Sequence, residues 1–69
     1  MKLSARNQIK GMVKSITPGA INSEVVIEIA AGIEITAQIT NSSVDRLELT
    51  PGKAAYAIIK ADNVMIGAD

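Results

Sequence analysis

Ile33-Glu34-Ile35-Thr36-Ala37-Gln38-Ile39-Thr40 alternates apolar and polar residues without a break. A period of two over eight positions is the signature of a strand with one face in a core and one in water. Upstream, Glu24 to Ala30 repeats the pattern, with Val25, Ile27 and Ile29 on one face and Glu24 and Glu28 on the other. Ala31-Gly32 leaves room only for a tight connection, so the two segments form a hairpin. Further back, Pro18-Gly19-Ala20 is a turn: Pro fixes φ and Gly supplies the positive φ of a type II turn. Before it, Asn7 to Thr17 reads as a first long strand, with Gly11 marking a bend or a bulge.

Downstream of the hairpin the period changes. Over Asn41 to Leu49, Val44 and Leu47 sit at helical spacing, and Leu49 extends the apolar set. Ser42 with Asp45 three residues on resembles a capping box, and Thr40 or Asn41 caps equally well on sequence grounds. About two turns of helix are expected. Thr50-Pro51-Gly52-Lys53 ends them with a turn. Ala54 to Lys60 is apolar on both faces and predicts a strand buried on both sides. Ala61-Asp62-Asn63 is a polar break with room for one helical turn, before a short strand Val64-Met65-Ile66. The fold class is therefore all-β. Five strands with one short helix between the third and fourth fit a small OB-like barrel, and residues 1–69 form a single domain.

Composition says how such a domain is held together. Sixty-nine residues bury only about 60% of the surface that the unfolded chain exposes, and chains this short usually carry a staple. Cys and His are both absent, which removes disulfides and the usual zinc ligands. Oligomerisation is the staple that remains. The 48% apolar content agrees, because it is Ile, Val and Ala rather than aromatic, with one Tyr and neither Phe nor Trp. Such residues pack well on pleated surfaces and in subunit interfaces.

Seven basic residues balance seven acidic ones. Nucleic-acid affinity rests largely on clustered Lys and Arg, so a polyanion partner is not expected. No apolar run approaches the roughly 20 residues that span a bilayer. The opening Met1-Lys2-Leu3-Ser4-Ala5-Arg6 lacks the apolar stretch of a signal peptide, which favours the cytoplasm.

Catalysis is not expected. Without His or Cys the chain lacks the usual base near neutral pH and the most reactive nucleophile. Glu24, Glu28 and Glu34 sit on strand faces expected to meet solvent, and Tyr56 is expected in the core. No catalytic residue is assigned, and no bare-cation metal site. What remains is a set of donors: Ser4 and Arg6 at the N-terminus, Lys60 ending the fourth strand, and Thr40-Asn41-Ser42-Ser43 opening the helix. Hydroxyls, a guanidinium, an ammonium and free backbone N–H groups are what a tetrahedral oxyanion requires. Within these segments and the break after Lys60, Asp62 is the one carboxylate, and a carboxylate would repel such a ligand.

Ser4-Ala5-Arg6-Asn7-Gln8-Ile9-Lys10-Gly11 resembles the opening signature of the molbindin or Mop family, Ser-Ala-Arg-Asn-Gln, a hydrophobic position, and Gly two later. The likeness continues through Glu24 to Ile29, Ile39 to Val44, Leu47-Glu48-Leu49 with Gly52, Ala57 to Ala61, and Val64-Met65-Ile66. It covers essentially the whole chain. The resemblance implies an OB-like barrel, a homohexamer built as a trimer of dimers, and molybdate or tungstate held between subunits, with no catalytic cofactor. Carried over residue by residue, Ser4, Arg6, Lys60 and the backbone at Ala61 would contact the anion from one subunit. Thr40 and Ser43 would contact it from the neighbour. Some relatives carry Ser where this chain has Ala61, so only the backbone N–H serves there. The family also binds anions near its threefold axis, through the turn that corresponds to Gly19 to Asn22. The implied role is intracellular molybdenum storage and homeostasis.

The competing reading is an OB-fold module for single-stranded nucleic acid. It needs a basic groove and aromatic stacking platforms, and the chain offers neutral charge and a single Tyr.

Overall fold

The computed structural model describes residues 1–69. Four strands, β1 (Asn7–Pro18), β2 (Asn22–Ala30), β3 (Ile33–Thr40) and β4 (Ala54–Ile59), form one antiparallel sheet in the order β3-β2-β1-β4. A short helix, α1 (Asn41–Arg46), connects β3 towards β4, and one turn of 3-10 helix, Ala61–Asn63, follows β4.

The twelve-residue β1 shapes the sheet by serving two neighbours in turn. Asn7 to Met12 pair with β4, and Met12 to Pro18 pair with β2. Lys14 is the extra residue where the register with β2 slips, between the pairs Val13↔Ile27 and Ser15↔Val26. A bulge of this kind bends the strand and increases its twist, so the sheet curls rather than lying flat. Gly11, expected to mark the bend, has a different task. A Cβ there would lie 2.5 Å from Ile27 Cγ2 and 2.6 Å from the Glu28 carbonyl oxygen, so only glycine lets β1 approach β2 this closely.

The concave face holds the core. Val13, Val25 and Ile27 are buried together, and Ile16, Ile29, Ile39, Val44, Leu49 and Ala55 pack against them. The turn before β4 is tied to the same strand, with Val13 N–H donating to the Lys53 carbonyl at 2.9 Å and Gly52 N–H to the Val13 carbonyl at 2.8 Å.

Helix α1, six residues long, gives the roughly two turns expected and ends before Leu47. Of the candidate caps, Thr40 is the one used: its Oγ1 accepts from the Ser43 N–H at 3.1 Å. The helix stops because Glu48 takes a left-handed conformation, φ 54°. The Lys53 ammonium then donates to the Leu47 and Glu48 carbonyls at 3.0 and 3.1 Å, satisfying acceptors that a longer helix would have used.

Four expectations are corrected. The sheet has four strands rather than five, because Val64-Met65-Ile66 pairs with nothing in its own chain. Val64 is extended, at φ −92° and ψ 124°, but Met65 and Ile66 are 92% and 90% exposed and no ladder supports them. The barrel is open. β3 and β4 are both edge strands, and a trough of about 670 Å³ lies between them, lined by Ile35, Ala37 and Ile39 on one side and Ala55, Ala57 and Ile59 on the other. β4 is not buried on both faces, since Ala57 alone of its residues is fully covered. Tyr56, expected in the core, is half exposed on the outer face, with the Lys10 ammonium 6.0 Å from its ring centroid.

Candidate functional site

The register of one strand pair builds the site. β1 begins at Asn7 and β4 ends at Ile59, and these two residues are partners. The chain entering β1 and the chain leaving β4 are therefore neighbours at the same end of the sheet. Asn7 fixes this end, its Nδ2 donating to the Ile59 carbonyl at 3.1 Å. Gln8 Nε2 reaches back to the Ala5 carbonyl at 3.3 Å, holding the incoming segment.

Beyond the last paired residues the two segments part and enclose a pocket of about 270 Å³. Ser4, Ala5 and Arg6 line one side and Lys60, Ala61 and Asp62 the other. The 3-10 turn that begins at Ala61 shapes the second wall: Asn63 N–H donates to the Lys60 carbonyl at 3.0 Å. Four of the six sequence-predicted residues, Ser4, Arg6, Lys60 and Ala61, thus lie together. Arg6 has no carboxylate partner, so its guanidinium donors are unspent. Lys60 Nζ lies 3.8 Å from Asp62 Oδ2, and both side chains are largely solvated.

Thr40 and Ser43 do not join this pocket. Thr40 ends β3, at the opposite edge of the sheet from β4. There the hydroxyls form their own cluster: Thr40 Oγ1 donates to Ser43 Oγ at 2.8 Å and lies 3.1 Å from Ser42 Oγ. Arg46 was not singled out from the sequence, yet its Nη2 contacts Ser43 Oγ at 3.5 Å. The signal was its spacing, since residues three apart share a helix face. Arg46 belongs to neither of the ion pairs.

The turn from Gly19 to Asn22 is committed to structure, and it is not the type II turn expected, since Pro18 ends β1 and Gly19 does not take a positive φ. Gly19 N–H donates to the Asn22 carbonyl at 2.8 Å, and Asn41 Nδ2 donates to the Gly19 carbonyl at 2.9 Å. Asn41 Oδ1 accepts from the hydroxyl of the buried Ser23. This network ties the turn to the first residue of α1.

No three His, Cys, Asp or Glu residues come together in a way that could hold a metal cation. No helix is long and apolar enough to cross a membrane.

Comparison with known proteins places this architecture. The TOBE domain family matches residues 3–66. "Molybdenum-pterin-binding protein 1" of Clostridium pasteurianum is 47% identical over 66 residues, covering 96% of this chain and 97% of that protein. A solved molybdate binding protein from Sporomusa ovata superimposes with a TM-score of 0.91 at 35% identity, covering 99% of this chain and all of that one. The cytoplasmic molybdate-binding protein ModG, solved with molybdate bound, gives a TM-score of 0.94 at 46% identity. It matches the whole of this chain over 49% of its own length. The open four-stranded half-barrel with its single short helix is thus a shared fold, and the chain belongs to the TOBE domain family, among the small molbindins named as molybdenum-pterin-binding proteins.

Proposed function

We propose that this protein binds molybdate or tungstate as the intact dianion, at sites completed between copies of the chain, and so stores or buffers molybdenum inside the cell. The observation that carries this reading is the pocket at the β1–β4 end, where Arg6, Lys60 and Ser4 converge with the backbone at Ala61. Molybdate and tungstate are fully deprotonated dianions at neutral pH, so they need donors on every side and offer none in return. A guanidinium and an ammonium are the side chains suited to oxyanion oxygens. Thr40 and Ser43 supply the remaining hydroxyls from a neighbouring subunit, since the sheet order keeps them away from the pocket of their own chain.

Assembly follows from what one chain leaves uncovered. Four apolar residues are fully buried, while Met12, Ile21, Ile33, Met65 and Ile66 are exposed. Two bare strand edges invite pairing, and the apolar trough between them is open. Val64-Met65-Ile66, extended and unpaired, becomes the fifth strand of the barrel when it lies on a second copy. A homohexamer arranged as a trimer of dimers satisfies these surfaces. A further anion site near the threefold axis, by the turn from Gly19 to Asn22, belongs to the same assembly. Neither catalysis nor nucleic-acid or membrane binding is part of this function.

Because the anion binds the assembled form, it stabilises that form by RT ln(1 + [L]/Kd), about 2.7 kcal/mol at a hundredfold excess over Kd. The test is isothermal titration with molybdate and tungstate on protein sized by light scattering, with sulfate, phosphate and a single-stranded oligonucleotide as controls. Saturable heat with molybdate on a hexamer, with sulfate silent, is the expected result. A hexamer that gives no heat with either dianion overturns the reading.

A further inference from the structure

A pocket for a dianion gains nothing from a carboxylate, yet Asp62 lines this one beside Arg6 and Lys60. Its placement is set by the backbone. The 3-10 turn over Ala61–Asn63, closed by the Asn63 N–H to Lys60 carbonyl bond, brings residue 62 back towards the pocket mouth. The Asp62 carboxylate accepts no hydrogen bond, and its one partner is the Lys60 ammonium at 3.8 Å. Both side chains are 72% exposed, so the pair is of the solvated kind that holds weakly and exchanges readily. Two cations and one carboxylate give the empty pocket a net charge of +1 from its own chain, against a ligand of −2.

We infer that Asp62 is the resident counter-charge of the oxyanion site: it occupies Lys60 while the pocket is empty, gives that ammonium up when the dianion enters, and limits how tightly the dianion is held. This rests on the reading of the pocket as the oxyanion site. Its consequence is a site tuned for exchange. Repulsion between Asp62 and the dianion opposes entry and weakens the complex, which suits a buffer that must return its cargo. The Lys60 contact is too solvated to cost much, so the penalty is chiefly the repulsion, which scales with ligand charge. A monoanion of the same tetrahedral shape therefore feels about half of it.

That scaling separates a charge effect from a structural one. The probes are molybdate, a dianion, and perrhenate, a tetrahedral monoanion of similar size, titrated into the full-length assembly. Asp62→Asn is expected to tighten molybdate binding about tenfold, the size of Coulomb repulsion between charges of −1 and −2 several ångströms apart in water. Perrhenate is expected to gain roughly threefold, about half of the molybdate effect in free energy. Asp62→Ser, which keeps a side-chain oxygen but no charge in the first turn of the 3-10 helix, gives the same gain if Asn disturbs the turn. Asp62→Glu keeps the charge and stays near wild type, and Glu24→Gln, on the β2 surface, alters neither affinity. Wild-type binding that is unchanged or weakened by both Asp62→Asn and Asp62→Ser overturns the inference and leaves the proposed function standing. Equal gains for the two anions overturn it as well. Wild-type protein that binds no molybdate removes the site itself, and the inference with it.

Discussion

The two donor clusters at the ends of the sheet differ in what they have left to give. At the β1–β4 end, Arg6 has no carboxylate partner and Lys60 has only the loose contact with Asp62. At the end of β3, Thr40 is spent on its own helix: its Oγ1 accepts from the Ser43 N–H and donates to Ser43 Oγ. The first cluster is positioned by strand register and holds unspent charge. The second is positioned by a helix cap and holds hydroxyls already engaged in the fold. Charge at the first end therefore governs affinity, while substitutions at the second end alter stability and binding together.

Arg6→Ala tests that contrast most severely. Losing a charged hydrogen-bonding group worth about 1.5–3 kcal/mol weakens molybdate binding roughly 10- to 150-fold. The ligand-free assembly keeps its size and melting temperature, as light scattering and calorimetry will register. A lowered melting temperature without ligand would mean that Arg6 is structural after all. Thr40→Val comes next. It removes the N-cap, which costs about 1 kcal/mol, so the ligand-free melting temperature falls by several degrees and affinity drops in the same variant. Loss of affinity with no change in melting would break the comparison from the other side.

Asn7→Ala has a smaller effect. Its hydrogen bond to the Ile59 carbonyl contributes about 1 kcal/mol, and its loss lets the pocket walls splay, lowering affinity a few-fold in titration. The smallest effect belongs to Lys14→Met, which touches neither cluster. The hydrogen bond to Glu34, and then the attraction of its charge, hold the Lys14 ammonium above its ordinary range. Because the folded value is raised, the pair supports the fold at neutral pH, and that support is lost as pH rises through the raised value. The pair lies on the surface in contact with solvent, so at pH 7 the substitution leaves melting within measurement error and binding unchanged.

What could be read in the sequence follows from where each signal resides. β3 is found to the residue, because unbroken alternation is a local signal with one physical cause. β1 runs one residue further than expected and β2 starts two earlier, at Asn22, where pairing with Thr40 extends the ladder. The helix was found but its end was not, because the stop depends on Glu48 and Lys53, a contact between segments that no period reveals. Gly11 announced a special position, but a close approach and a bulge look alike until β2 is placed beside it. The fifth strand and the two-sided burial of β4 failed together. Both treated apolar residues as evidence of burial within one chain, whereas Tyr56, Ile58, Met65 and Ile66 face outwards. Ser4, Arg6, Lys60 and Ala61 line one pocket because strand register joins the two chain segments, while the family resemblance alone assigned Thr40 and Ser43 to a neighbour.

The central claim is that one anion takes donors from two chains, and subunit complementation tests it most directly. Arg6→Ala chains and chains carrying both Thr40→Val and Ser43→Ala are each expected to bind molybdate poorly alone. Co-expressed with different tags and purified as mixed assemblies, they rebuild some sites with Arg6 from one chain and Thr40 and Ser43 from the other. Titration of the mixed assemblies is expected to recover a class of sites with wild-type affinity. Mixed assemblies, verified by mass spectrometry, that bind no better than either parent would contradict the shared site.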